Sequence, residues 1–164
     1  MTNKERALLI AEQAHANQTY DIYPYMYHIR MVMRILEDLG YDEDTIIAGI
    51  LHDTYEDTTL TYSKVKLAFN ERVAEIIYCV TDELGRNRKE RKLKTYPKIR
   101  SNWRAVVVKI ADRIANMKHS KQYTPDMFKM YQKEFSDFKE AINNPEHPQS
   151  EIQKAWDLLE QLSN

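Results

Sequence analysis

The stretch LHDTYEDT, residues 51–58, sets His52, Asp53, Glu56 and Asp57 within six positions. His52 and Glu56 stand at i, i+4, as do Asp53 and Asp57, so on a helix the two pairs occupy neighbouring faces of one turn. Three carboxylates brought together there repel one another. At about 4 Å and an effective dielectric near 20, each like-charged pair costs on the order of 4 kcal/mol. Glu56 and Asp57 also fall at the C-terminal end of the helix that the apolar residues before them predict, where the macrodipole disfavours each anion by about 0.3–1 kcal/mol. A solvated acidic surface is the ordinary use of such residues, but a divalent cation would remove the repulsion and engage the imidazole as well. The chemistry expected here is metal binding.

Adjacent His52 and Asp53 do not complete a site, so further ligands must come from distant segments. His147 lies in a proline-flanked loop, and His15 and His119 flank expected helix ends. His28 sits in PYMYHIRMV on an otherwise apolar helix, where a histidine is ordinarily a satisfied core residue. Asp112 is more telling. It interrupts the apolar helix VVVKIADRIANM, where an unpaired carboxylate is costly to bury. Arg113 is the alternative partner, but adjacent helical residues point about 100° apart.

A second charged feature is basic. Residues 86–104 hold Arg86, Arg88, Lys89, Arg91, Lys92, Lys94, Lys98, Arg100 and Arg104, nine of the chain's 24 lysines and arginines, with Glu90 the sole acid among them. Such a tract is often just a solvated helix face. Beside an acidic metal site it suits the steering of a phosphorylated substrate. It lacks the interleaved aromatics of a platform for single-stranded nucleic acid.

The elements that must position these groups read as helices. Periodicity predicts helices over 3–17, 25–39 (stopped by Gly40), 41–57, 61–69, 71–83 and 103–119. Asp42, Glu43 and Asp44 suit the positive end of the third. YDIYPY reads as a loop. Val106-Val107-Val108 is the one β-prone patch, yet Ile110, Ile114 and Met117 continue it at helical spacing. Thr124-Pro125 is an N-cap and first-turn pair for a helix reaching about Asn143, and residues 149–162 form a last amphipathic helix packing on the rest. Good helix formers dominate, and three glycines among 164 residues disfavour a turn-rich β architecture. The expectation is an all-α fold, with residues 1–164 as one domain.

Composition narrows the function classes. A net charge of −1 excludes a globally basic nucleic-acid binder, and no sequence-specific nucleic acid is expected as a partner. No apolar run approaches the roughly 20 residues of a membrane span, so no membrane partner is expected. MTNKERALLIAEQ lacks the features of a secretion signal, and the lone Cys79 precludes an intrachain disulfide. A cytoplasmic location is the expectation.

His28, His52-Asp53 and Asp112 follow the H…HD…D pattern of the HD-domain metal-dependent phosphohydrolases. Within them, HDTYED, VKIADRIANM, AEQAHANQ, PYMYH and VAEIIYCVTDE followed by RNRKERK resemble the alarmone-hydrolase branch, over about residues 5–140. That branch comprises the hydrolase half of RelA/SpoT proteins and the small alarmone hydrolases. HDxxED combined with ADRxxNM is the specific signal; an isolated HD pair is not.

The resemblance implies a compact helical HD-domain fold holding one divalent ion through His28, His52, Asp53 and Asp112, manganese first, with iron or zinc as alternatives. It implies hydrolytic removal of the 3′-pyrophosphate from (p)ppGpp or its adenosine analogue (p)ppApp, a small nucleotide substrate. Glu56 and Asp57 match the pair that positions and deprotonates the attacking water; Arg88, Lys109 and Asn116 match substrate contacts. The chain departs from the family where an Arg-Lys pair usually follows AH..Q: here stand Thr19-Tyr20-Asp21. His28-Ile29 replaces the usual His-Pro, and His119 replaces a common polar residue. The base therefore stays open between guanine and adenine. An HD-type 5′-nucleotidase and a non-catalytic helical binding module are the competing readings.

Overall fold

The computed structural model describes residues 1–164. Helix α1 (Asn3–Ala14) starts at a reciprocal cap: Thr2 Oγ1 accepts from the Glu5 amide, and the Glu5 carboxylate accepts from the Thr2 amide. It ends three residues before the sequence-predicted boundary. The YDIYPY segment forms a small hairpin, β1 (Thr19–Tyr20) antiparallel to β2 (Tyr23–Pro24), with Tyr20 opposite Tyr23. Helix α2 (Met26–Asp38) follows, and Gly40, at φ 78°, turns the chain beyond it.

The expected helix over 41–57 is two helices. Asp42 caps α3 (Glu43–Leu51) by accepting from the Thr45 amide, and α4 (Thr54–Asp57) is a single turn. His52 and Asp53 lie between them, with Asp53 at φ −97°, ψ 0°. Apolar periodicity carries no mark of this break, because Leu51 and Thr54 are both buried on either side of it.

Then come α5 (Tyr62–Ala68), α6 (Glu71–Val80), α7 (Arg88–Arg100), α8 (Trp103–Tyr123), α9 (Pro125–Ile142) and α10 (Gln149–Ser163). Asn70, Asn87 and Asn102 cap α6, α7 and α8 through their side chains. The sequence assigns Thr124 the same role for α9, but its side chain makes no cap hydrogen bond; Pro125 at the first turn is what suits the start.

Helix α8 is the axis of the fold. Ala105, Val106, Val107, Val108, Ile110, Ala111, Ile114, Ala115 and Met117 are all buried on it, so it is apolar nearly all round and must be enclosed. Helices α2, α3, α6, α7, α9 and α10 pack on it. The three valines are therefore helical, as their continuation predicts. One hydrophobic cluster runs from Ala7 to Leu159, so the C-terminal helix shares the core of the helices that carry the acidic groups. Helix α3 lies close on α2 at Gly49, where an added Cβ would come within 2.3 Å of Leu36 Cδ1. No helix is long and apolar enough to cross a membrane.

Candidate metal centre and active site

Helix α2, the α3–α4 junction and α8 bring their polar groups to one point. His28 Nε2 lies 2.9 Å from Asp112 Oδ1. His52 Nε2 lies 3.1 Å from Asp53 Oδ2 and 3.3 Å from Asp112 Oδ1. Cation–ligand bonds of about 2.1 Å set neighbouring donor atoms roughly 3.0–3.4 Å apart in octahedral or tetrahedral arrangements. The observed spacings fit a divalent cation. The donors fit as well: His52 Nδ1 donates to the Gly49 carbonyl at 2.7 Å, which leaves Nε2, buried and without a hydrogen bond, as the nitrogen that can face a cation. The four sequence-predicted ligands thus converge.

The charges agree with this use. Burial opposes ionisation of Asp53, but His52 outweighs it and holds the carboxyl down at about 2. Burial likewise opposes Asp112, and Lys109, His28 and His52 hold it well below the ordinary carboxylate range. Both are anionic at neutral pH. Burial works against charging His52, but Asp53 and Asp112 raise it well above an ordinary imidazole, so without a cation its Nε2 carries a proton that a metal ion would have to displace. Tyr25, expected only as part of a motif, donates its hydroxyl to Asp53 Oδ2 and so orients that carboxylate. Burial, then the Asp53 charge, push its phenol strongly upward, so it stays a donor.

Around this point lies a cavity of about 200 Å³ whose walls include Glu56, Asp82, Lys109 and Asn116. Glu56 accepts from the Asp82 amide, and Asp53, Glu56 and Asp57 can bring carboxylate oxygens within 4.8 Å of one another. Burial, followed by the Asp53 charge among other groups, raises both Glu56 and Asp57 above an ordinary carboxyl. That moves them towards the range useful for accepting a proton. Lys109 Nζ sits 3.2 Å from Asp112 Oδ2, and Asn116 Oδ1 accepts from the Tyr20 hydroxyl at 2.6 Å.

Arg88 is not in this cavity. It forms a two-pronged pair with Glu134 and lines a groove of about 540 Å³ between α7 and α9. Arg113 also bonds Glu134, at 3.2 Å, and stacks over Tyr131 and Phe138; it is not the partner of Asp112. From the basic tract, Lys92 pairs with a wall residue of the metal cavity, 3.5 Å from Asp82 Oδ2. The sequence presents Lys92 as one of nine cations. Nothing in its spacing separates it from the others, because its distinction is a half-buried ion pair with Asp82, made only in the fold.

A family model described as HD domain matches residues 7–138. The chain belongs to the HD-domain family. HD domains bind divalent metal ions, and the His28–His52–Asp53 cluster offers three ligand atoms within 4.8 Å of one another. This HD domain is 37% identical over 120 residues to the guanosine-3′,5′-bis(diphosphate) 3′-pyrophosphohydrolase of Aquifex aeolicus (strain VF5), a match covering 70% of the chain and 17% of that protein. A protein of the same descriptive name from Xenopus tropicalis is 37% identical over 106 residues, covering 63% of the chain and 59% of its own length. The HD domain thus spans about a sixth of the Aquifex relative. A solved structure described as "A metazoan ortholog of SpoT hydrolyzes ppGpp and plays a role in starvation responses" shares the fold, with a TM-score of 0.75 at 23% identity over 98% of this chain and 95% of that one.

Proposed function

We propose that this chain hydrolyses 3′-pyrophosphorylated nucleotides, (p)ppGpp or its adenosine analogue, releasing pyrophosphate and a nucleotide with a free 3′-hydroxyl. The observation that carries the reading is the convergence of His28, His52, Asp53 and Asp112, with Glu56 and Asp57 beside them and not needed as ligands. Similarity to proteins named for this hydrolysis supports the substrate class.

His28, His52, Asp53 and Asp112 would hold the cation, and a mixed imidazole–carboxylate set favours Mn²⁺, with Fe²⁺ or Zn²⁺ next, over the all-oxygen preference of Mg²⁺. When bound, the ion acidifies water and neutralises phosphoryl charge. The chain's own residues do the rest. Glu56 and Asp57 position the attacking water and take its proton. Lys109 holds Asp112 in place from its second oxygen and adds positive charge to the phosphate-facing wall. Asn116, fixed between Tyr20 and Asp112, orients the substrate next to the reacting phosphate. Lys92 supplies a second cation at the Asp82 edge, while Arg88 reaches substrate only on leaving Glu134.

The test is a panel of guanosine and adenosine 3′-pyrophosphates with Mn²⁺, Zn²⁺ or Mg²⁺, products separated by chromatography. Pyrophosphate and the 5′-nucleotide are expected in equal amounts with Mn²⁺. Release of monophosphate alone, from 5′-nucleotides, would reassign the chain to a phosphatase.

A further inference from the structure

Next to the metal cavity lies a second one, of about 400 Å³, reached past Tyr20 and Asn116, which line both. The two side chains are bonded to each other, and the Tyr20 ring stacks on His28 at 4.6 Å and 12°. Beyond them the second cavity is walled by Asp21, His119, Thr124 and Tyr131 among others, and by no lysine or arginine. A carboxylate without a cation repels phosphate. This cavity therefore suits the uncharged part of a nucleotide whose phosphates lie against the metal centre.

Asp21 stands there with a left-handed backbone, which aspartate tolerates better than most residues. It is the only residue other than glycine with positive φ, 56°, and it occupies the first position of the two-residue hairpin loop, where glycine is the usual solution. What marks Asp21 is where its side chain goes. That side chain accepts from the buried His119 through Oδ2 at 2.9 Å, and His119 Nδ1 faces the Tyr27 hydroxyl at 3.3 Å. With Oδ2 committed and the imidazole engaged at both nitrogens, Asp21 keeps a second oxygen, Oδ1, that makes no hydrogen bond in the fold and can only accept, on a residue that lines the cavity.

We propose that Asp21 is a specificity-determining residue that selects the substrate's base by accepting a hydrogen bond from an exocyclic amino group. The inference rests on the nucleotide reading above and extends it. Guanine and adenine both carry such a group; hypoxanthine does not. His119 and Tyr27 act as positioning residues that aim the carboxylate.

The experiment compares guanosine, adenosine and inosine 3′-pyrophosphates as substrates with Mn²⁺, and the three nucleoside 3′,5′-bisphosphates as ligands by calorimetry. A hydrogen bond to a charged group is worth at least about tenfold. The inosine compounds are expected to lag the better amino-bearing one by that factor in kcat/KM and in Kd. Asp21→Gly, which suits the positive φ, should bring the ratio close to one, and Asp21→Asn, which turns a donor towards the base, should also erase it. Unchanged melting temperatures show that both variants fold. Equal treatment of all three bases by the native chain, or a ratio that survives Asp21→Gly, overturns the proposal. Calorimetric discrimination that depends on Asp21, without any hydrolysis, would uphold it and overturn the hydrolase reading instead. Hydrolysis without discrimination would do the reverse.

Discussion

His28 Nε2 and Asp112 Oδ1 meet at 2.9 Å although 84 positions separate them in the chain. Their meeting fixes α2 against α8 at the point where His52 and Asp53 arrive from a third segment. A cation bound there ties three helical segments of one core together. At a hundredfold excess over Kd, binding adds about 2.7 kcal/mol, which for a chain of this size raises the melting temperature by about 5–10 °C. Thermal melts with and without Mn²⁺ should show that rise in the native chain. In His28→Ala and Asp112→Ala it should shrink to about 1 °C or less, and hydrolysis should fall more than about a hundredfold. A full shift in either variant would remove that residue from the ligand set.

Glu56 and Asp57 answer a different measurement. Positioned general bases are worth about 10²–10⁴ in rate. The Glu56→Gln, Asp57→Asn double variant should lose at least about a hundredfold in kcat while keeping the Mn²⁺-induced rise in melting temperature. The amide oxygen introduced by Glu56→Gln can still accept from the Asp82 amide, so the fold has no reason to suffer. Loss of metal binding alongside activity would make the pair ligands, not bases.

Lys92 gives a pH signature. Burial, then the nearby Lys109, push its ammonium down to about 8. The side chain is a cation below that value and neutral above it. The KM for a 3′-pyrophosphorylated nucleotide should therefore climb as pH rises through 8, and Lys92→Met should raise KM at pH 7 by about tenfold and flatten the profile. Superimposable KM–pH curves for the two proteins would exclude Lys92 from substrate binding.

Gly49 is a packing prediction. Its missing Cβ lets α3 approach Leu36, which is wholly buried and has little room to turn away. Gly49→Ala gains about 1 kcal/mol of helix propensity but overpacks by about 1–3 kcal/mol. Urea unfolding should register a net loss of up to about 2 kcal/mol. Because the Gly49 carbonyl also holds His52 Nδ1, Mn²⁺ affinity should fall with it.

Asp42 carries the acid dependence of α3. Burial raises its carboxyl, but the Thr45 amide and hydroxyl and the Arg104 guanidinium outweigh it and leave the value lowered. A carboxyl depressed on folding contributes stability above its unfolded value of about 3.9 and loses it as pH falls through the folded value. Asp42→Ala should cost about 1 kcal/mol at pH 7 as a lost cap. The difference from the native chain should narrow below about pH 4, as followed by thermal melts. A gap independent of pH would mean that the charge contributes nothing.

Much of this arrangement is legible in the residues. Helical periodicity is a strong local signal, and it yields α8 even through three valines, because Ile110, Ile114 and Met117 keep the spacing. Asp112 stands out as a charge inside an apolar run. What stays hidden depends on distance in three dimensions. The family resemblance singles out Arg88 and passes over Lys92, yet it is Lys92 that lies beside Asp82, while Arg88 is clasped by Glu134, a residue 46 positions away. Asp21 carries no pattern at all; only its left-handed backbone and its contact with His119, 98 positions on, mark it. The division of 41–57 into α3 and α4 is similarly silent, since both sides of it are buried.

That division explains why neighbours in sequence can serve one ion. On an unbroken helix, successive side chains diverge by about 100°. Ending α3 at Leu51 and restarting at Thr54 frees His52 and Asp53 from that rule, and both turn the same way. The spacing HD is then a product of local chain geometry. A single residue inserted between them would leave composition and core untouched and still disarm the molecule.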